Sequence, residues 1–124
     1  MMEVIATIKS KKPDFAVLSG DDALTLPLIS VGGDGIISVV SNLAPAAVVD
    51  MAHKALEGDF DAARKAHYKL LPFFKAAFVD GNPTSIKYAM SVKGMPSGPC
   101  RLPLAEVNDG AKKVIEDALK ECGL

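Results

Sequence analysis

The sequence predicts an α/β stretch with parallel strands as far as Gly58, followed by an all-helical segment. Two apolar runs, Phe15–Leu18 and Ile36–Val40, each lead straight into a helical pattern. Strand, helix, strand in that rhythm makes the strands parallel, because a helical crossover returns the chain to the same end of the sheet. After Gly58 the pattern changes: apolar residues at 60, 63, 66, 70, 71, 74, 77 and 78 follow the period of an amphipathic helix. Parallel strands are buried on both faces, so a sheet of only two leaves most of its apolar surface uncovered. The chain is therefore expected to be a piece of something larger.

Each element has a local reason. Apolar residues at 2, 5 and 8 have helical spacing, and Pro13 closes that helix because the residue before a proline is pushed out of the helical region. The strand Phe15–Leu18 breaks at Ser19-Gly20-Asp21-Asp22 into a helical segment from Ala23 to Val31. Asp21 or Asp22 suits its N-cap, Gly32-Gly33 its stop, and Pro27 within it predicts a short or kinked helix. Gly33-Asp34-Gly35 makes the tight return into the strand Ile36–Val40. After Ser41-Asn42, Pro45 opens a helix to Leu56 that stops at Gly58. Pro72 inside the stripe from Phe60 to Phe78 predicts a kink near Leu70 and Leu71. Gly81-Asn82-Pro83 is a turn, with a helix from Pro83 through Met90. A Gly- and Pro-rich loop from Gly94 to Pro103 precedes a last helix over Asn108–Cys122, capped by Gly123.

The bulk properties exclude several function classes. At 124 residues and 49% hydrophobic, the chain can bury one core. A net charge of −1, without a long run of like charges, argues against a nucleic-acid surface or a polybasic membrane patch. No apolar stretch approaches the roughly 20 residues of a membrane span. The start, Met1 to Ile8 followed by Lys9-Ser10-Lys11-Lys12, reverses the charge order of a signal peptide, so a cytoplasmic setting is expected. Cys100 and Cys122 lie far apart, one in a proline-rich loop and one near the C-terminus, and read as free thiols.

Candidate chemistry is sparse. Ser19-Gly20-Asp21-Asp22 follows a strand, where α/β folds place their ligand-contacting loops. The glycine allows close backbone approach, and two adjacent carboxylates could hold a water or a polar substrate. Alternatively, one aspartate caps the helix and the other is solvated. Gly32-Gly33-Asp34-Gly35 leads into a strand rather than a helix N-terminus, so a turn is expected rather than a phosphate cradle. His53 and His67 have no ligand-spaced partner, and Tyr68 and Tyr88 are expected to pack. No metal site is expected. No lysine ends an apolar strand, where desolvation could make it a nucleophile.

Blocks along nearly the whole chain resemble the dihydrodipicolinate synthase (4-hydroxy-tetrahydrodipicolinate synthase) family. They are Asp14 to Ala23, Gly32 to Val39, Ser41-Asn42-Leu43-Ala44-Pro45, Leu56 to Phe60, Phe78 to Ala89, and Arg101-Leu102-Pro103-Leu104. The resemblance implies the C-terminal part of a (β/α)₈ TIM barrel, its last two strand–helix units in residues 1–58, followed by a small all-helical domain in residues 59–124. Family members are lyases of the class I aldolase type. A lysine forms a Schiff base with pyruvate, and the enamine attacks L-aspartate 4-semialdehyde in lysine biosynthesis, without a cofactor. The iminium is the electron sink that makes the pyruvate methyl acidic.

In the family that lysine ends the sixth strand, before the point matching Met1. The catalytic tyrosine, its threonine partners and the carboxylate-binding arginine also lie upstream, and neither Tyr68 nor Tyr88 matches the tyrosine. What carries over is Ile37, whose backbone carbonyl would line the pyruvate pocket, Gly20, whose backbone would face the second substrate, and Asp21 and Asp22, polar positions at that mouth. The chain alone is expected to be inactive. Its expected partners are the upstream half of the barrel, or a second copy through the open sheet edge, and family enzymes are homo-oligomers. Two other readings stand beside this one: a non-catalytic interaction or regulatory module binding an intact barrel, and part of a related pyruvate aldolase such as a sialic acid lyase.

Overall fold

A computed structural model describes all 124 residues. The elements run α1 (Met2–Lys9), β1 (Leu18–Ser19), a 3₁₀ turn (Asp22–Leu24), α2 (Thr25–Ser30), β2 (Gly35–Ile36), a second 3₁₀ turn (Val40–Asn42), α3 (Pro45–Leu56), α4 (Phe60–Ala76), α5 (Thr84–Val92) and α6 (Asp109–Cys122). The strands pair in parallel, Leu18 opposite Gly35 and Ser19 opposite Ile36.

Both strands are shorter than the sequence suggested. Phe15 and Ala16 lie outside β1, and the ladder begins where the Asp34 amide donates to the Val17 carbonyl at 2.9 Å. It ends where Ile37 N–H donates to the Ser19 carbonyl at 2.8 Å. Val39 and Val40 were expected in the second strand. Instead the Asp22 carboxylate takes their N–H groups, at 3.0 and 3.4 Å, and the chain turns into a 3₁₀ segment. A carboxylate from the loop after β1 satisfies these amides in place of a ladder.

The segment expected as one helix from Ala23 to Val31 divides into a 3₁₀ turn and the six-residue α2, in keeping with Pro27. Asp21 is its cap, its carboxylate accepting from Ala23 N–H at 2.8 Å. α3 has the expected bounds, with Pro45 in its first turn and Gly58 beyond its end at φ +86°. Its buried residues Val48, Met51, Ala52 and Ala55 recur at three- and four-residue spacing on one face. α4 is capped by Asp59, whose side chain accepts from Ala62 N–H at 3.0 Å, and it ends at Ala76, two residues short of the stripe. The helix continues through Pro72, although proline gives the Tyr68 carbonyl no i+4 donor. α6 runs from the Asn108 cap to Gly123 at φ +69°.

One core joins the helices. Val48 and Met51 of α3 meet Leu70, Phe73 and Phe74 of α4 and Ile115 and Leu119 of α6. Phe73, Met51 and Ile115 are fully buried, each contributing about 1.5–3 kcal/mol relative to exposure. A smaller cluster, Ile29 with Ala52, Ala55 and Ala63, seats α2 against α3 and α4. α1 buries only Ile5. It is tied to the sheet by Asp34, whose carboxylate meets Lys9 Nζ at 2.6 Å and accepts from Val17 N–H at 2.7 Å. Those contacts hold the Asp34 carboxyl below its usual range, the Lys9 hydrogen bond most of all. The apolar side chains of Phe15, Leu18 and Ile37 remain exposed around the strands. No helix is long and apolar enough to cross a membrane.

Candidate site at the strand ends

Parallel pairing brings the ends of β1 and β2 to the same side, where α/β folds bind ligands. Gly20 follows β1 and Ile37 follows β2, so the Ile37–Ser19 hydrogen bond makes them neighbours at the rim. Gly20 is exposed, and a Cβ built on it would meet nothing within 4 Å. Ile37 is 68% exposed.

The polar residues of the two loops have different tasks. Ser19 Oγ donates to the Asp21 carbonyl at 2.7 Å and accepts from Asp21 N–H at 3.2 Å, closing the first loop. Asp21 stays exposed while it caps the 3₁₀ turn. Asp22 is neither the cap nor solvated: it is 1% exposed and lies under the rim. Its Oδ1 accepts from the Ser38 hydroxyl, and its Oδ2 accepts from the Val39 and Val40 amides. Thr25 Oγ1 donates to the Asp22 carbonyl at 2.9 Å, and Ser38 Oγ accepts from Ser41 N–H at 2.8 Å. The Ser38 contribution was absent from the sequence reading, which placed Ser38 inside the strand Ile36–Val40, 16 residues from Asp22.

Between these anchored groups one peptide is free. Neither the Ile37 carbonyl nor the Ser38 N–H has a hydrogen-bond partner within the chain. An exposed strand end with an unpaired carbonyl beside a glycine can accept a hydrogen bond from a ligand and let it approach closely. It cannot act as a nucleophile, and no lysine lies in β1, β2 or the loops 19–24 and 37–44.

Other reactive groups are placed elsewhere. His67 is buried on α4, its Nδ1 without a partner, and burial pushes its imidazole below the ordinary 6.5. The Tyr88 hydroxyl donates to Glu116 Oε1 at 2.6 Å, which raises the phenol above its ordinary range. Burial raises the Cys122 thiol, and Cys100 is a second free cysteine. No group of three His, Cys, Asp or Glu side chains could hold a metal ion. An open groove of about 520 Å³, bordered by Leu26, Phe60, Arg64 and Tyr68, lies on the outer helices rather than at the rim.

Comparison with known proteins shows the family. The model of the dihydrodipicolinate synthetase family matches residues 1–122. The 4-hydroxy-tetrahydrodipicolinate synthase of Methanocaldococcus jannaschii is 52% identical over 108 residues, covering 87% of this chain and 37% of that protein. That of Protochlamydia amoebophila is 49% identical over 121 residues, covering 98% and 40%. Among solved structures, dihydrodipicolinate synthase from Thermotoga maritima has a TM-score of 0.94 at 37% identity, over 98% of this chain and 41% of that one. The Aquifex aeolicus enzyme gives 0.93 at 40% identity, over 100% and 43%. The chain thus spans about two fifths of the length of the relatives it matches.

Proposed function

This chain belongs to the dihydrodipicolinate synthetase family, with the fold of the C-terminal part of a (β/α)₈ barrel, and from that premise we propose that it forms one wall of a 4-hydroxy-tetrahydrodipicolinate synthase active site. Residues 1–58 are the last two βα units of the barrel, and residues 59–124 are the helical domain appended to it. The reaction condenses pyruvate with L-aspartate 4-semialdehyde. A lysine supplied by the preceding part of the barrel forms the Schiff base, and no cofactor takes part.

Within this wall the roles are matters of backbone and shape. The Ile37 carbonyl borders the pyruvate-derived carbons beside the Schiff base. Gly20 gives the semialdehyde room to approach and the exposed Asp21 makes that mouth polar, whereas Asp22, expected there too, is buried beneath it. The observation that carries this reading is the unpaired Ile37–Ser38 peptide beside Gly20 at the shared strand end, in a chain alike to these synthases along its length. The names of the relatives favour a synthase over a sialic acid lyase. Two free cysteines suit a reducing compartment, and we place the reaction in the cytoplasm. The exposed apolar residues at the strands, Phe15, Leu18 and Ile37, suit a surface that the rest of the barrel covers, with self-association as the competing outcome.

Complementation tests the proposal. The purified chain is mixed with the upstream barrel half of a relative, and condensation of pyruvate with the semialdehyde is followed. Turnover is expected only from the mixture. Binding to an already complete barrel, with no gain of activity for the half-barrel, would identify an interaction module instead.

A further inference from the structure

We propose that Asp22 is a positioning residue: with Ser38 it clamps the loop after β1 to the loop after β2 and so aims the Ile37 carbonyl. The clamp bears on catalysis only if that carbonyl meets pyruvate, as proposed above. The peptide in question is free but bracketed by fixed groups. Ahead of it, Ile37 N–H is held by the Ser19 carbonyl at 2.8 Å. Behind it, Val39 N–H is held by Asp22 Oδ2 at 3.0 Å, and the Ser38 hydroxyl donates to Oδ1 of the same carboxylate. The carboxylate is itself anchored, since Thr25 Oγ1 grips the Asp22 carbonyl at 2.9 Å and Asp21 caps the turn that starts there.

At 1% exposure Asp22 has no surface to offer a substrate, and its oxygens already accept from three donors. Removing the carboxylate leaves two amides and a hydroxyl seeking acceptors in a buried place, which drives a backbone shift. Small displacements of a group that contacts the reacting atoms lower rates steeply.

Two measurements test the clamp. In the 124-residue chain, hydrogen exchange at the Val39 and Val40 amides is read for the parent, Asp22→Ala and Asp22→Asn. Asparagine can preserve the geometry: its oxygen accepts from Val39 while its NH₂ donates to Ser38 Oγ. Exchange is expected to speed up by at least about tenfold in Asp22→Ala and to stay near the parent rate in Asp22→Asn. In the enzyme assembled from this chain and the preceding barrel strands, Asp22→Ala is expected to raise the KM for pyruvate about tenfold or more. Asp22→Asn should restore it, and the KM for the semialdehyde should change less. Unchanged Val39 exchange in Asp22→Ala, or an unchanged pyruvate KM, overturns the proposal. So does an Asp22→Asn variant as impaired as alanine and defective mainly towards the semialdehyde, because the charge would then meet that substrate directly. An unsubstituted assembly without turnover defeats the synthase reading alone, while amide exchange still decides the clamp.

Discussion

Replacing Gly33 by alanine probes the turn that delivers β2 to the rim. The Gly33 amide donates to the Leu28 carbonyl at 2.9 Å, which folds the turn back onto α2. A Cβ on Gly33 would collide with Leu28 Cγ and lie 2.6 Å from its Cδ2 and 2.9 Å from its carbonyl oxygen. The leucine is buried, and its carbonyl belongs to the last turn of α2, so neither can retreat unless α2 or β2 moves. Overpacking of this kind costs about 1–3 kcal/mol, and with a backbone atom among the contacts about 2 kcal/mol is expected. Gly20→Ala is the matched control, because its Cβ meets nothing within 4 Å and its φ lies outside the left-handed region. Its stability should stay within about 0.5 kcal/mol of the parent. Urea unfolding of both variants, compared at equal m-values, measures the difference. If Gly33→Ala proves as stable as Gly20→Ala, the tight α2–β2 turn is refuted.

Two further outcomes follow from single side chains. Burial lowers the His67 imidazole below 6.5, so the unfolded chain binds that proton more readily than the folded one. The stability is fully present above that pH and declines as the pH falls from there through the folded-state value. Thermal melts of His67→Phe should therefore vary less than the parent's over about pH 5 to 7, and an equal slope would remove His67 as the cause. Asn108 caps α6 by accepting from Ala111 N–H at 3.0 Å. Asn108→Ala should cost about 1 kcal/mol in denaturant melts, and Asn108→Asp should recover most of it; no loss in alanine would show that the cap is idle.

Helix boundaries were readable because their stop signals are local. Pro45 with Gly58, and Asn108 with Gly123, act within a turn of the residues they bound, and α3 and α6 lie where those residues put them. Strand ends were not, because a strand's length is decided by its neighbours. Val39 and Val40 look like strand residues, yet a carboxylate distant in sequence takes their amides. The same long-range contact hid the nature of the Asp21–Asp22 pair. Adjacent identical residues carry no mark of which one turns inward, and only the packed loops show Asp21 capping and Asp22 buried. His67 was legible as a helical residue. Its orphaned Nδ1 depends on how α4 meets its neighbours.

The most direct measurement is borohydride trapping. The purified chain is incubated with pyruvate, reduced, and weighed by mass spectrometry, alone and after assembly with the upstream barrel half. No mass gain is expected on these 124 residues in either sample, with the adduct confined to the added half. A stable pyruvate adduct on a lysine of this chain would contradict its assignment as the wall that shapes the cavity.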